Sequence, residues 1–180
     1  MIYFVRHGQT DYNLNKIIAG QQDIPLNQNG IEQAKQTALK LKNIQFDVCF
    51  CSPLIRAKQT CEEILKFHKD LTPCFDSRLK ERCYGKLENH PINSIRFNRW
   101  KADEAKEQIS ELEIEEISSM YRRVSSFFEE TLAKYNSKTI LVVAHSGIGR
   151  ISSAYFNGVP KDNDFSMVKI PNAGVIIFDN

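Results

Sequence analysis

Four short apolar runs, separated by amphipathic helical patterns, are the feature that most constrains the fold of this chain. The runs cover residues 2–5, 48–51, 140–144 and 175–178. Each is rich in β-branched and aromatic residues and is too short for a helix, so each predicts a buried strand. Strands that alternate with helices along a chain are typical of an α/β fold with a mainly parallel sheet.

Helical patterns fill the intervals between these runs. We predict helices at residues 29–43, 54–68, 118–135 and 146–157. In the longest of them, apolar residues recur three and four positions apart, which places one apolar stripe against a core. The pattern weakens between residues 84 and 117, which we expect to form a small helical excursion over one end of the sheet. We find no repeat, low-complexity tract or Pro/Gly-rich linker, and we therefore predict a single domain over residues 1–180.

Composition and charge exclude several classes of protein. The formal net charge of +2 is too small, and the basic residues are too scattered, to indicate a surface that binds nucleic acid. No apolar stretch reaches the length of a membrane span, and the first residues lack a signal-peptide pattern, so we expect a cytoplasmic protein. The five cysteines are odd in number and form no Cys-x-x-Cys pair. They therefore fit reduced thiols better than a zinc site or a disulfide framework.

Cationic and polar residues follow three of the predicted strands. The first strand ends on RHG (residues 6–8), the third ends on HSG (residues 145–147), and an arginine opens the helix after the second. Ligands of open α/β sheets bind beyond the carboxyl ends of the strands, and helix N-termini and arginine forks suit phosphate. Each residue alone would more often be structural, but the combination predicts an anion site. Its side chains would come from Arg6, His7, Arg56 and His145.

The same stretches resemble the motifs of the histidine phosphatase superfamily, which includes cofactor-dependent phosphoglycerate mutases. The matching stretches, in the family's order, are RHGQTDYN (6–13), GQQDIPLNQNGIEQA (20–34), SPLIRAKQT (52–60), ERCYGKLE (81–88) and VVAHSGIGR (142–150). Together they cover nearly the whole chain, and the set is specific although any one piece would be weak. The resemblance implies a three-layer αβα sandwich, phosphoglycerate mutase-like, with a mainly parallel central sheet and helices on both faces.

The resemblance also implies phosphoryl transfer through a phosphohistidine. His7 would be the nucleophile, and Glu81 would act as general acid and then as general base. The phosphate would be held by Arg6, Asn13, Arg56, His145 and the backbone N–H of Gly147. No metal or other cofactor is implied, because this cage already supplies positive charge. The expected partner is a small phosphorylated metabolite, and neither a nucleic acid nor a membrane is expected.

Departures from the family pattern leave the reaction open. Cys83 stands where mutases commonly have histidine, and Asn89 stands where phosphatases commonly have glycine. Mutases also carry a longer basic insertion, for which this chain has little room, so we favour water as the phosphoryl acceptor. The alternatives are a cofactor-dependent phosphoglycerate mutase, an α-ribazole phosphatase and a catalytically inactive phosphate-binding protein.

Residues around the acid-bearing loop, which is the stretch 81–88 that begins with Glu81, bear on the substrate. A basic group there would favour an anionic substrate, although a solvated surface is an equally good interpretation. The group consists of Lys80, Arg82, Lys86, Arg96 and Arg99. Three aromatic residues, Tyr84, Phe97 and Trp100, would pack inside the excursion or, less favoured, contact a nucleoside-like ring such as that of α-ribazole phosphate.

Overall fold

A five-stranded sheet forms the centre of the computed structural model, which describes residues 1–101 and 104–179. The strand order is β3-β2-β4-β1-β5. The first four strands run parallel, and β5 pairs antiparallel with β1 at one edge. This arrangement confirms the predicted α/β fold with a mainly parallel sheet. The strands are β1 (Ile2–Arg6), β2 (Val48–Cys51), β3 (Pro73–Phe75), β4 (Ile140–Ala144) and β5 (Val175–Phe178).

Helices cover both faces of the sheet. Residues of α2 and α3 share one buried cluster with β2 and β4, and residues of α5 and α6 share another with β1 and β4. None of the helices in the two described ranges is long and apolar enough to cross a membrane. The helices are α1 (Asp11–Leu14), α2 (Gln28–Leu41), α3 (Ile55–Leu65), α4 (Lys106–Glu111), α5 (Ile117–Lys134) and α6 (Ser146–Asn157).

The alternation of side chains along the strands divides the core into two layers. Ile2 and Phe4 of β1 belong to the cluster under α5 and α6, whereas Val5 belongs to the cluster under α2 and α3. Successive side chains of a strand point to opposite faces, which explains this division. All five residues of β4 are buried, as expected for a central parallel strand that is covered on both faces.

The chain between β3 and α5 forms short helical turns around a small cluster of its own. The cluster contains Ile18, Tyr84, Ile109 and Ile114. Three single-turn 3₁₀ helices and α4 make up the regular structure, the turns being Ser77–Leu79, Gly85–Leu87 and Ile92–Ser94. The predicted excursion includes Ala102 and Asp103, and the predicted domain includes Asn180; these three residues lie outside the described ranges.

Two elements, α1 and β3, are not predicted by the sequence patterns. The strand β3 has only three residues and begins with a proline, so it shows no alternation. The four-residue α1 depends on a capping box, in which Thr10 Oγ1 accepts from the Asn13 N–H at 3.2 Å and Asn13 Oδ1 accepts from the Thr10 N–H at 3.1 Å. Side-chain caps of this kind fix a short turn without any apolar periodicity.

The backbone at Asn89 explains one departure from the family pattern. Asn89 has a φ of 69°, in the left-handed region that favours glycine. Asparagine is among the few other residues that adopt this conformation readily. The turn around it is closed by the His90 N–H, which donates to the Leu87 carbonyl at 3.2 Å, while the Asn89 N–H donates to the Ile18 carbonyl at 2.9 Å.

Candidate active site

A cavity of about 320 Å³ lies at the carboxyl ends of β1 and β4. Residues of the loop after β1, the first turn of α3, the acid-bearing loop and the first turns of α6 form its wall. Five of the seven predicted site residues line it, namely Arg6, His7, Asn13, Arg56 and Glu81. The other two, His145 and Gly147, lie next to these residues rather than in the wall.

His7 is buried at the end of β1, and its imidazole is fixed by the adjacent backbone. The Nδ1 atom lies 2.6 Å from the Gly8 carbonyl oxygen. A carbonyl only accepts hydrogen bonds, so Nδ1 carries the proton and Nε2 is the nitrogen with a free lone pair. Burial and the cations of Arg56 and Arg6 hold the pKa of His7 well below its usual range, so the ring is neutral near pH 7.

His145 lies beside His7 at the end of β4. The two ring centroids are 5.1 Å apart, and His145 Nε2 lies 2.7 Å from Ser52 Oγ at the end of β2. Its Nδ1 is buried without a hydrogen-bond partner in the described part of the chain. Burial, followed by the charge of Arg56, holds the pKa of His145 well below its usual range, so this ring is also neutral.

The two arginines are held by carbonyl oxygens. Arg56 donates from Nη1 to Gln22 O at 2.7 Å and from Nη2 to Gly20 O at 2.8 Å, while Arg6 donates from Nη1 to Ile170 O at 2.6 Å. Burial lowers the pKa of both side chains, that of Arg56 to about 10, so both stay charged near pH 7. In each, Nε is buried with no hydrogen-bond partner within residues 1–101 and 104–179. The site therefore presents donors and positive charge toward an anion.

The carboxylate of Glu81 is oriented by two backbone N–H groups. Oε2 accepts from Gly147 N at 3.1 Å, and Oε1 accepts from Arg82 N at 2.8 Å. The N–H of Gly147, which we expected to face the phosphate, is thus used to hold Glu81, and Ser146 lines the cavity instead. A Cβ atom at position 147 would lie 2.1 Å from Glu81 Oε1, so a larger residue would displace the Glu81 carboxylate from this position.

Asn13 lines the cavity, and two hydrogen bonds to its side-chain oxygen fix the orientation of its amide. Its Oδ1 accepts from Thr10 N and from Asn172 Nδ2, both at 3.1 Å. Because the oxygen is occupied twice, the amide NH₂ is the group left for a ligand. Asn172 also donates to His7 O at 3.3 Å, and it is a supporting residue that sequence reasoning missed. Its only signal is a PNAG turn before β5.

The basic residues that line the cavity differ from those predicted to lie near it. Of the five predicted near the cleft, only Arg99 lines the cavity. Arg82 is fully buried and donates to the carbonyls of Glu115 and Arg99, so it is a structural residue. Arg150 and Lys169 line the cavity and were not predicted. Arg150 lies four residues after Ser146 in α6, so helical spacing from the second histidine motif would have found it.

The aromatic residues of the excursion divide between the two predicted uses. Tyr84 and Trp100 line the cavity, yet both are buried, whereas Phe97 packs against the excursion's own cluster. Guanidinium groups lie over both rings, with Arg150 Cζ 5.0 Å from the Trp100 centroid and Arg99 Cζ 5.8 Å from the Tyr84 centroid. Packing therefore accounts for most of their surface.

The loop that carries His7 is pressed closely against α2 and α3. The Gly8 N–H donates to Thr60 Oγ1 at 3.0 Å, one turn along α3 from Arg56. A Cβ atom at Gly8 would lie 2.3 Å from the Gly30 carbonyl oxygen in the first turn of α2. The close backbone contact fixes where His7 leaves the sheet. In the described ranges no cluster of three histidine, cysteine or carboxylate side chains is arranged to hold a metal ion.

Curated relatives of the chain include phosphatases of two kinds. Fructose-2,6-bisphosphatase TIGAR of Bos taurus is 41% identical over 129 residues, which are 69% of this chain and 48% of that protein. The chain thus spans about half the length of this relative. The uncharacterized phosphatase PhoE of Bacillus subtilis is 34% identical over 145 residues, covering 80% of this chain and 70% of that protein.

Solved structures and the family comparison support the fold described above. A mycobacterial glucosyl-3-phosphoglycerate phosphatase in complex with VO3 superposes with a TM-score of 0.83 at 25% identity, covering 97% of this chain and 90% of that one. The family model of the histidine phosphatase superfamily (branch 1) matches residues 2–179. Since this match covers nearly the whole chain, including Arg6, His7, Arg56 and His145, the chain belongs to the histidine phosphatase superfamily, branch 1.

Proposed function

We propose that this chain is a metal-independent phosphatase that hydrolyses small phosphomonoesters through a phosphohistidine on His7. The observation that carries the proposal is the neutral His7 ring in the cavity wall, with Nδ1 bonded to Gly8 O at 2.6 Å. This bond commits Nε2 to nucleophilic attack. Arg6 and Arg56 supply charge beside it, and both line the same cavity.

The first step transfers the phosphoryl group to the enzyme. The Nε2 lone pair of His7 attacks phosphorus in line with the leaving oxygen, and the phosphorus–oxygen bond breaks. Protonated Glu81 gives its proton to the leaving oxygen, so an alcohol departs. The two N–H donors from Gly147 and Arg82 fix the direction of this carboxyl group.

The second step hydrolyses the phosphohistidine. Glu81, now a carboxylate, takes a proton from water, and the water oxygen attacks phosphorus while the bond to Nε2 breaks. Inorganic phosphate leaves, and Glu81 and His7 return to their starting states. Proton and electron counts balance without a metal or other cofactor.

Four side chains support binding of the transferred group. Arg6 and Arg56 each have a buried Nε without a partner among the described residues, and Asn13 has its amide NH₂ directed away from two acceptor contacts. His145 has an unpartnered Nδ1 beside the His7 ring, and this nitrogen is a donor when Ser52 Oγ–H donates to its Nε2. Such donors, placed before the ligand arrives, stabilise the charge of the transition state without reorganisation.

The cavity also supports a substrate with a second anionic group, because it is lined by cations besides Arg6 and Arg56. Arg99, Arg150 and Lys169 line it, and Arg150 is held in place by the Phe165 carbonyl at 2.9 Å. The name of the bovine relative denotes a sugar bisphosphate as its substrate, which is such a molecule. We therefore infer that the substrate is a sugar bisphosphate or a phosphoglycerate-type ester. A nucleoside-like substrate is less well supported, because guanidinium groups already cover the Tyr84 and Trp100 rings.

Phosphate release from a panel of phosphorylated metabolites tests the proposed function. With a chelator present, we expect turnover by the parent protein and a loss of at least about 1,000-fold in His7→Ala, because nothing replaces the nucleophile. Parent and variant should show the same thermal unfolding, which separates loss of chemistry from loss of fold.

The other outcomes identify the alternatives. Interconversion of monophosphoglycerates that depends on a bisphosphorylated primer would establish a mutase and contradict hydrolysis as the main reaction. Saturable phosphate binding without any turnover would indicate a binding protein. Activity that disappears with the chelator would contradict the metal-independent mechanism.

Removal of these additional cations should separate binding from chemistry. We expect Arg99→Gln and Lys169→Gln each to raise KM for a bisphosphate about 10-fold and to leave kcat nearly unchanged, because the lost contact is equal in ground and transition states. Arg96→Gln, an exposed neighbour outside the cavity, is the matched control. A fall in kcat for a singly phosphorylated substrate would contradict the assignment.

The free energy of unfolding should fall below neutral pH because the site histidines are buried in their neutral form. The unfolded chain protonates His145 below its usual pKa of 6.5, whereas the folded chain, with a lowered pKa, does not. Acid therefore favours unfolding, by about 2 kcal/mol between pH 7 and pH 5 for such a histidine. Urea unfolding at both pH values should show that His145→Gln loses about 2 kcal/mol less than the parent over this interval. Equal losses would mean that folding does not suppress protonation of His145.

A further inference from the structure

An ion pair between Arg123 and Glu115 grips the backbone of the acid-bearing loop. Arg123 lies in α5, and Glu115 lies two residues before that helix begins. The pair is bidentate, with Nε 2.6 Å from Oε1 and Nη2 2.9 Å from Oε2. Fork-to-fork pairs of this kind fix direction as well as distance.

Arg123 reaches past its partner to the carbonyl oxygens that flank the acid. Nη1 donates to Lys80 O at 2.8 Å and also to Arg78 O, and Nη2 donates to Glu81 O at 3.3 Å. One guanidinium thus bonds three carbonyls of the segment that ends at Glu81. It holds the backbone of the acid but does not line the cavity.

Glu115 holds the same loop from the other side of the acid. Its Oε2 accepts from Cys83 N at 3.2 Å, its backbone N–H donates to Cys83 O at 2.9 Å, and its carbonyl accepts from Arg82 Nε at 2.7 Å. The loop is therefore fixed both before and after Glu81. A shift of the loop in either direction would break contacts to one member of the pair.

The pair stands on a rigid support. The Arg123 and Glu115 side chains are only 19% and 16% exposed, so water competes weakly for their hydrogen bonds. The neighbouring residue in α5, Val124, is fully buried, as are Phe127 and Phe128 one turn further on. An anchor on a packed helix places its partner more accurately than one on a mobile loop.

We propose that Arg123 and Glu115 are positioning residues that set the carboxyl group of Glu81 at the distance from the leaving oxygen that proton transfer requires. This inference rests on the proposed function, in which Glu81 is the general acid. Neither residue touches the substrate; both act through the backbone of the loop. Loss of the pair should therefore damage the step that needs the acid and spare a step that does not.

Leaving groups of different basicity provide the readout. An alkyl phosphate needs a proton on its leaving oxygen, whereas p-nitrophenolate leaves readily without one. We expect Arg123→Gln to lower kcat/KM for the alkyl phosphate by about 10-fold to 100-fold and to change the value for p-nitrophenyl phosphate by less than about threefold. Arg122→Gln, an exposed residue one position away, is the matched control and should change neither value.

A double-variant cycle with Glu81→Gln tests whether Arg123 acts through the acid. If it does, adding Arg123→Gln to Glu81→Gln should cause little further loss, since the group that it positions is already gone. Losses that multiply in the double variant, or equal losses for both substrates, would overturn the proposal and leave Arg123 a general structural residue.

Two further results keep the inference separate from the proposed function. If Glu81→Gln itself shows no leaving-group selectivity, the acid role fails and the inference fails with it. If Glu81→Gln shows this selectivity and Arg123→Gln does not, only the inference fails.

The fluorescence of Trp100, the one tryptophan, checks folding. Should Arg123→Gln unfold, the same comparison on Glu115→Gln, which is isosteric, and Arg123→Lys, which keeps the charge, decides the question.

Discussion

The parallel pairing of β1 with β4 is the constraint on which the site depends. The register places Arg6 opposite Ala144, so the next residues, His7 and His145, leave the sheet at the same level. Their rings lie 5.1 Å apart as a result. A one-residue slip in this register would move every side chain of the strand to the opposite face of the sheet. Such a slip is unfavourable because it would disrupt the packing of both buried clusters. Core packing thus fixes the separation of the two histidines.

Burying so many donors around one small cavity would be unfavourable without acceptors behind them. The fold supplies carbonyl oxygens rather than carboxylates. Gly20 and Gln22 accept from Arg56, and Ile170 accepts from Arg6, so the guanidinium charges remain available for a ligand. Glu88 holds the loop that contains Gly20 and Gln22, because its Oε1 accepts from Gln21 N at 2.9 Å. The donors are therefore fixed before any anion binds, which is the arrangement that favours a charged transition state.

Local patterns in the sequence account for most of the fold and for the position of His7 at the end of β1. The strands at 48–51, 140–144 and 175–178 match the predicted runs, and β1 differs only by including Arg6. These strands bury one or both faces and therefore consist mostly of apolar residues, which makes them recognisable in the sequence. The strand β3 and the helix α1 were not predicted, since three or four residues are too few to show a period.

Long-range packing explains what the sequence did not predict in the candidate site. Gly147 turns its N–H toward Glu81, Asn172 braces both His7 and Asn13, and Lys169 reaches the cavity from the segment before β5. Each depends on contacts between residues far apart in the chain, which leave no local pattern.

The position of the phosphoryl group on the enzyme tests the central claim most directly. The contact of His7 Nδ1 with Gly8 O leaves only Nε2 for attack. Alkaline quenching during turnover, followed by phosphorus NMR of the denatured protein and peptide mass spectrometry, identifies both the residue and the nitrogen. The account predicts Nε2-phosphohistidine at His7 and none in His7→Ala. Phosphate release without a phosphoenzyme, or a phosphoryl group on Nδ1 or on another residue, would contradict it.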